Sequence, residues 1–459
     1  MTALAQRRGA CPALTAPMRT GDGLLVRLNP IASGQETGGL SPTALIGLCR
    51  SASRHGNGIL EITQRGSIQI RGLTPESAGQ LADDVNTLHI AVRSGVPVET
   101  SPLAGLDPDE IADPRPLAQA IRAVVSNAGL SRRLGPKVSV IVDGSGHIAM
   151  DNLLADVRLT AVRQDSETLW HMAIGGTATT ARSVGLFGRA NAVATTLETL
   201  EAIAALGREG RGRGLGDDDF ACLRQRCPSS PCRDLLPVNG EKEEAETAQP
   251  VPFSPFTGRR SRQGDEGQRE HLQLATFPLT NDTHALAIAL PFGSMPAETL
   301  AELAREAAKS GATEICSAPD RRLLTLGLTT RSAKALQSKA TALGFVTDAA
   351  DPRLFIAACP GKPACASGHI DTRAIAEQVV RQHAGLFDGS LTLHVSGCAK
   401  GCAHPRSAAL ALVGGENGAG LVVNGTAGAR PSGYTGEDEA GSALGRVAAL
   451  VARQRRAGE

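Results

Sequence analysis

The chain has 459 residues with 47 Lys+Arg against 46 Asp+Glu, a net charge of +1, so no global field draws it to nucleic acid or to an anionic membrane. With 41% hydrophobic and 20% charged residues it can build several cores, and its length suggests two or three domains or a duplicated one. Only 2% of the residues are aromatic, with one Trp and one Tyr, which leaves little for base-stacking or sugar-stacking surfaces.

The N-terminal stretch carries Arg7 and Arg8 without the apolar run of a signal peptide, and no stretch of 18 or more apolar residues follows. The expectation is a soluble, cytoplasmic protein with neither a nucleic-acid nor a membrane partner. Ten cysteines in so long a chain make no disulfide scaffold, and in a reducing compartment clustered thiols bind metal or do redox work.

In chain order, a strand over Leu24 to Leu28 precedes a helix that starts at Ser41-Pro42. This helix carries Leu45, Leu48, Cys49 and Ala52 at helical spacing and stops at Gly56. Two strands (Ile59 to Ile62, Ile68 to Leu73) and a second helix (Ala78, Leu81, Val85, Leu88) complete a β-α-β-β-α unit. Adding 255 to these numbers finds the same roles again: Leu300, Leu303, Ala304, Ala307 and Gly311, then strands at Thr313 to Cys316 and Leu323 to Leu328. Gly72-Leu73 matches Gly327-Leu328, and the second helix returns as Ala333, Leu336, Ala340 and Leu343. The first strand returns as Leu286 to Leu290 with a shorter following loop. A fainter likeness joins Lys137 to Gly144 with Ser390 to Gly397, and Ala173 to Ala178 with Val422 to Ala427.

The fold expected is therefore α+β, with two duplicated halves related by pseudo-two-fold symmetry. The segments are residues 15–95 and 274–350 for the β-α-β-β-α modules, 96–206 and 351–459 for the second modules, and 207–273 for a linker or long loop. The linker turns from Gly/Arg to Glu/Lys to Pro/Ser. Duplicates of this kind place matched sites face to face, so the space between halves is the expected site.

Four cysteines fall into two pairs in the second half, Cys359-x5-Cys365 and Cys398-x3-Cys402. A cubane iron-sulfur cluster needs four converging thiolates, and Gly361, Pro363, Gly397 and Gly401 let the chain turn tightly round it. Structural zinc prefers shorter spacings than Cys-x5-Cys. A 4Fe-4S cluster is the favoured reading, with another metal or unliganded thiols as the alternatives. Cys222, Cys227 and Cys232 recur every five residues, a spacing that suits a metal but fits a Pro-containing loop better, while Cys49 reads as core.

Cys-x5-Cys followed some thirty residues on by Ser-Gly-Cys-x3-Cys-Ala resembles the cluster motif of the sirohaem-dependent sulfite and nitrite reductases, which are also built from two duplicated halves. The resemblance runs from about Thr20 to Thr426 and gives the halves their module names, ferredoxin-like and nitrite/sulfite reductase-type. Thr63-Gln-Arg65-Gly-Ser-Ile-Gln69-Ile-Arg71-Gly looks like the family segment whose polar groups contact tetrapyrrole carboxylates. The departures point inside the family. Cys398-Ala-Lys400-Gly-Cys402-Ala-His404-Pro replaces the reductases' Cys-Pro-Asn-(Gly/Ser)-Cys, and Gly135-Pro-Lys137-Val-Ser keeps one Lys of the basic cluster that holds sulfite. These features resemble the precorrin-3B synthase family of aerobic cobalamin biosynthesis.

That resemblance implies a monooxygenase. Dioxygen hydroxylates the meso carbon of precorrin-3A between rings A and D, and a ring-A acetate closes a γ-lactone. It implies a 4Fe-4S cluster on Cys359, Cys365, Cys398 and Cys402, a mononuclear non-haem iron of unknown ligands, and NADH acting through a separate electron-donating reductase. No dinucleotide fingerprint is present, since Gly207 to Gly216 follows no strand pattern. Arg65, Gln69 and Arg71 alternate as on one strand face, where guanidinium groups would hold the macrocycle's carboxylates. Thr63, Arg27, Lys137 and Lys400 are weaker substrate-binding candidates, and His404 reads as a hydrogen-bonded structural residue more than as an iron ligand. The alternatives are a sirohaem-dependent nitrite or sulfite reductase, with Cys402 bridging to the haem iron, and a non-catalytic tetrapyrrole-binding or electron-carrier protein.

Overall fold

A computed structural model describes residues 12–31, 39–225, 274–404 and 406–457. They fall into two compact units, one drawn from Met1–Arg93 with Gly267–Glu459 and the other from Ser94–Glu266. Most of the expected linker, with Cys227 and Cys232, lies outside the described residues, as does Cys11. Among the described residues no helix is long and apolar enough to cross a membrane.

In the first unit the helix Pro42–His55 starts where Ser41 Oγ accepts the Ala44 N–H at 3.1 Å, and it ends at Gly56. Its counterpart, Ala297–Lys309, buries Leu300, Leu303, Ala304 and Ala307 as the first buries Leu45, Leu48, Cys49 and Ala52. The two helices share one core, and burial pushes the Cys49 thiol up to about 12, as suits a core residue. The next helices, Pro75–Thr87 and Thr330–Ala342, both open with a capping box, Thr74 with Ser77 and Thr329 with Ser332. Gly72 and Gly327 both take a left-handed φ, 72° and 85°, where a Cβ would meet backbone nitrogen at 2.9 and 3.0 Å. This explains the matched Gly-Leu.

Each copy lays down a five-stranded sheet of the same order. The first runs Met18–Thr20, Gly23–Leu28, Ile68–Leu73, Ile59–Ile62, Ser294–Pro296, and the second Thr276–Pro278, His284–Ala289, Arg322–Leu328, Glu314–Ala318, Gly39–Leu40. The last strand of each sheet comes from the other copy. Met295 pairs with Leu60 and Leu40 pairs with Ile315, so the exchange is symmetric at the same offset of 255. The hairpin turns also meet, with the Asp320 N–H donating to Gln64 O at 3.0 Å. This reciprocal pairing is the pseudo-two-fold axis expected of the duplication.

The cysteine-bearing module of this unit orders its strands Ile356–Ala358, Leu393–Ser396, Ala408–Gly415, Gly418–Gly425, Gly433–Thr435. The first three are parallel and the rest antiparallel, over a core that includes Ile375, Val379, Leu393, Val395 and Leu410. The second unit repeats the pattern with Val98–Glu99, Val140–Asp143, Ala155–Gln164, Glu167–Gly176 and Arg182–Phe187. Residues 207–225, expected to begin the linker, instead form the turn Gly212–Gly214 and the helix Asp217–Gln225 of this unit. The Gly212 N–H donates to Asp156 Oδ1 at 2.9 Å, and Arg182 lies 3.6 Å over the Phe220 ring. The glycine at 212 thus serves close packing against a strand, not flexibility.

Candidate functional site

The four cysteines lie on two loops that leave neighbouring parallel strands at the same edge, Cys359 and Cys365 after Ile356–Ala358, Cys398 and Cys402 after Leu393–Ser396. Gly397 joins them. Its N–H donates to Cys359 Sγ at 3.2 Å and its carbonyl accepts the His369 N–H at 2.8 Å. A Cβ on Gly397 would stand 3.1 Å from the Cα atoms of both Gly361 and Gly368. Gly361 and Gly401 take left-handed φ values of 62° and 63°, the conformations in which glycine carries no Cβ penalty. Cys359 is buried, Cys365 and Cys398 are partly buried and Cys402 is exposed.

Desolvation, then the charges of Cys359, Cys398 and Cys365, hold the Cys402 thiol above its ordinary value, with Lys400 acting in the opposite sense. Among the described residues no three His, Cys, Asp or Glu side chains surround a single metal-ion position. Four thiols on two loops that leave the same sheet edge are the donor type that an iron-sulfur cluster takes. No ligand set for a mononuclear iron emerges among the described residues.

The expected substrate residues separate. Gln69 and Arg71 lie on Ile68–Leu73, but Arg65 does not continue that face. The turn Thr63 to Gly66 intervenes, closed by Gly66 N–H to Thr63 O at 2.9 Å and by Ser67 N–H to Thr63 Oγ1 at 3.0 Å, so Thr63 holds the turn and Arg65 sits at its tip. Arg27 donates to Gln69 Oε1, with Nε at 3.1 Å, and Gln69 donates to Glu61 at 2.9 Å. Arg71 pairs with Asp22 at 3.2 Å and donates to the carbonyl of Ala364, inside the Cys359–Cys365 loop. Glu61, 4% exposed, also pairs with Arg373. The strand row thus engages the chain's own carboxylates and one cysteine loop. Lys400 Nζ donates to Ser367 Oγ at 2.8 Å, linking the two loops, and His404 contacts the Ser407 carbonyl at 3.3 Å. Lys137 is exposed, in the second unit, ahead of the strand Val140–Asp143, and Cys222 is exposed in the helix Asp217–Gln225.

Two residues near the cysteines escaped the sequence reading. Arg321 donates from Nη2 to the Ala403 carbonyl, beside Cys402, at 3.0 Å. His394, fully buried, has neither ring nitrogen hydrogen-bonded among the described residues and packs edge-on to His404 at 5.7 Å between centroids. Burial, then His404 and Arg321, pull it down to about 4, so it is neutral. In a strand reading Leu-Thr-Leu-His-Val, nothing marks it as more than an ordinary strand residue.

The second unit shows what became of the same loops in the first copy. The Asp107 N–H donates to Leu103 O as the Cys365 N–H donates to Gly361 O, and Ile111 N–H to Gly144 O as His369 N–H to Gly397 O. Asp107 and Ser145 thus stand in the places of Cys365 and Cys398. His147 clamps these loops, its N–H reaching Asp107 Oδ2 at 2.5 Å and its Nδ1 lying 2.7 Å from Oδ1.

Residues 16–88 match the family described as nitrite/sulfite reductase ferredoxin-like half domain. The chain is 22% identical over 395 residues to a ferredoxin–nitrite reductase of Synechococcus elongatus, covering 83% of this chain and 75% of that one. The solved NirA protein of Mycobacterium tuberculosis, 18% identical, superposes with a TM-score of 0.65 over 94% of this chain and 81% of its own, which shows the shared fold. Over 458 residues, 100% of this chain and 92% of the relative, it is 39% identical to a precorrin-3B synthase of Sinorhizobium sp.. The chain therefore belongs to the precorrin-3B synthase family, on the fold of the nitrite and sulfite reductases.

Proposed function

We propose that the protein acts as a precorrin-3B synthase, an oxygen-dependent monooxygenase of cobalamin biosynthesis. Its substrate would be precorrin-3A, hydroxylated at the meso carbon between rings A and D, with a ring-A acetate closing the γ-lactone. The observation that carries this reading is the 39% identity over the whole chain. The cysteine loops support it, because they keep four thiols while Ala399 and Lys400 stand between Cys398 and Cys402.

Cys359, Cys365, Cys398 and Cys402 would hold a 4Fe-4S cluster, which supplies one-electron transfer when bound. NADH is the proposed ultimate donor, through a separate reductase. Arg65, partly buried at the hairpin tip, is the proposed contact for a substrate carboxylate. Lys400 lies on the cysteine loop with its ammonium directed to Ser367, close enough to offset thiolate charge.

The test is the absorption spectrum of anaerobically purified protein, with iron, sulfide and extractable tetrapyrrole measured on the same sample, followed by turnover of precorrin-3A with and without oxygen. An iron-sulfur shoulder without haem bands, and oxygen-dependent turnover, support the proposal. Sharp Soret bands from an extractable iron tetrapyrrole would replace it with a sirohaem-dependent nitrite or sulfite reductase. Tight macrocycle binding without turnover would leave a carrier.

A further inference from the structure

Asp320 and Arg321 form the turn between Glu314–Ala318 and Arg322–Leu328, and both take left-handed φ values, 61° and 62°. Two successive left-handed residues favour Asn-Gly or Asp-Gly, and a long side chain in the second position is strained. The matching position in the first copy is a glycine. Gly66, 255 residues earlier at the matching turn, has φ of 83°.

What the strain secures is the direction of one side chain. The Arg321 stem lies against Gly293, where a Cβ would collide with it, and Gly293 has φ of 80°. Beyond it the guanidinium donates to the Ala403 carbonyl at 3.0 Å. Burial, and after it the charge of Arg373, hold the Arg321 guanidinium below its ordinary value, against the charges of Asp320, Cys359 and Glu61. Arg321 therefore reaches the second cysteine loop, through a hydrogen bond to the residue after Cys402. Arg71 does the complementary task at Ala364, but from an ordinary strand position.

We propose that Arg321 is a positioning residue for the iron-sulfur cluster, whose strained turn aims a partly buried cation at the loop that carries Cys398 and Cys402, restraining that loop and favouring the more negative, reduced cluster. This rests on the cluster assigned under the proposed function. A cation close to an anionic cluster raises its reduction potential, and the hydrogen bond to Ala403 restrains the loop that carries Cys398 and Cys402.

Arg321→Gly separates the two roles, because it relieves the turn while removing the cation. Wild type, Arg321→Gly and Arg321→Lys are purified anaerobically and compared for iron and sulfide per chain, rate of iron loss to a chelator, and cluster midpoint potential by redox titration. Thermal unfolding of the metal-free chains is measured beside them. The expected Arg321→Gly result is a metal-free chain that melts no lower than wild type, iron loss about five-fold faster, the factor one hydrogen bond is worth, and a lower midpoint. Arg321→Lys recovers part of the potential by keeping the charge. Wild-type iron retention and midpoint in Arg321→Gly overturn the inference alone, and so does a metal-free chain that melts much lower, which would make Arg321 a fold residue. A wild-type protein that holds no iron and sulfide overturns the cluster reading, and this inference with it.

Discussion

Replacing Gly397 by alanine puts a methyl group where three backbone segments of the cysteine loops meet. The new Cβ stands 3.1 Å from the Cα atoms of Gly361 and Gly368 and 3.5 Å from Cys359 Sγ. Two of these neighbours are main chain, so no rotamer change relieves them and the loops must separate by a few tenths of an ångström. Overpacking of a closed site costs ~1–3 kcal/mol, and the main-chain contacts place Gly397→Ala near the middle of that range, about 2 kcal/mol. For a unit of this size the melting temperature falls by roughly 3–4 °C. The separation also stretches the 3.2 Å contact from the Gly397 N–H to Cys359 Sγ, so iron and sulfide per chain fall with it. Thermal unfolding of the metal-free chain and iron analysis of the anaerobic protein read the two effects. Gly433→Ala is the control, since nothing lies within 4 Å of its Cβ. Gly397→Ala protein that melts with the control and keeps full iron would refute the closed-cradle reasoning.

Cys365→Ser is expected to lower cluster occupancy and abolish turnover, and full activity with little bound iron would remove the cluster from the reaction. Arg65→Ala should weaken tetrapyrrole affinity by roughly 1.5–3 kcal/mol, the range for a hydrogen bond to a charged group; an unchanged dissociation constant in a fluorescence titration assigns Arg65 to the turn alone. In the second unit, burial first, then Asp107, Asp113 and Asp143, push the Glu110 carboxyl from 4.5 up to about 8 against the Gly105 N–H. Folding takes up a proton between those values, so stability falls as pH rises through that window. Denaturant unfolding across pH should show a flatter profile for Glu110→Gln, and an identical slope would contradict the shift. His394→Ile should stabilise the metal-free chain by about 1–3 kcal/mol, the cost of buried polar atoms without partners. A loss of stability would show that the imidazole has a partner there.

The helices and the duplication were legible because each signal is local and repeated. Ser41-Pro42 and Gly56 bound the first helix as the sequence indicates, and Leu300, Leu303, Ala304 and Ala307 repeat its buried face. The two cysteine pairs were legible as turns because Gly and Pro surround them, and the structure places them on loops after neighbouring strands. Arg65 was misplaced onto the face of Gln69 and Arg71 because alternation was carried through Thr63 to Gly66, and a turn resets the parity of side chains. The exchanged strands Gly39–Leu40 and Ser294–Pro296 carry no period of their own, being two and three residues long. Arg321 and His394 were missed for a related reason, since their significance lies in contacts to residues 82 and ten positions away, which spacing alone does not encode.

The exchanged strands bear on descent. Leu40 meets Ile315 while Met295 meets Leu60, the i-with-j, j-with-i register of an isologous homodimer interface. A single-copy chain of this design would leave one sheet edge unpaired, open to aggregation, and could close it only on a second molecule of itself. Such a forerunner is a two-fold dimer with identical loops on both protomers. Within one chain the two sets of loops need not be identical, and Asp107 and His147 close those of one copy while cysteines occupy the other.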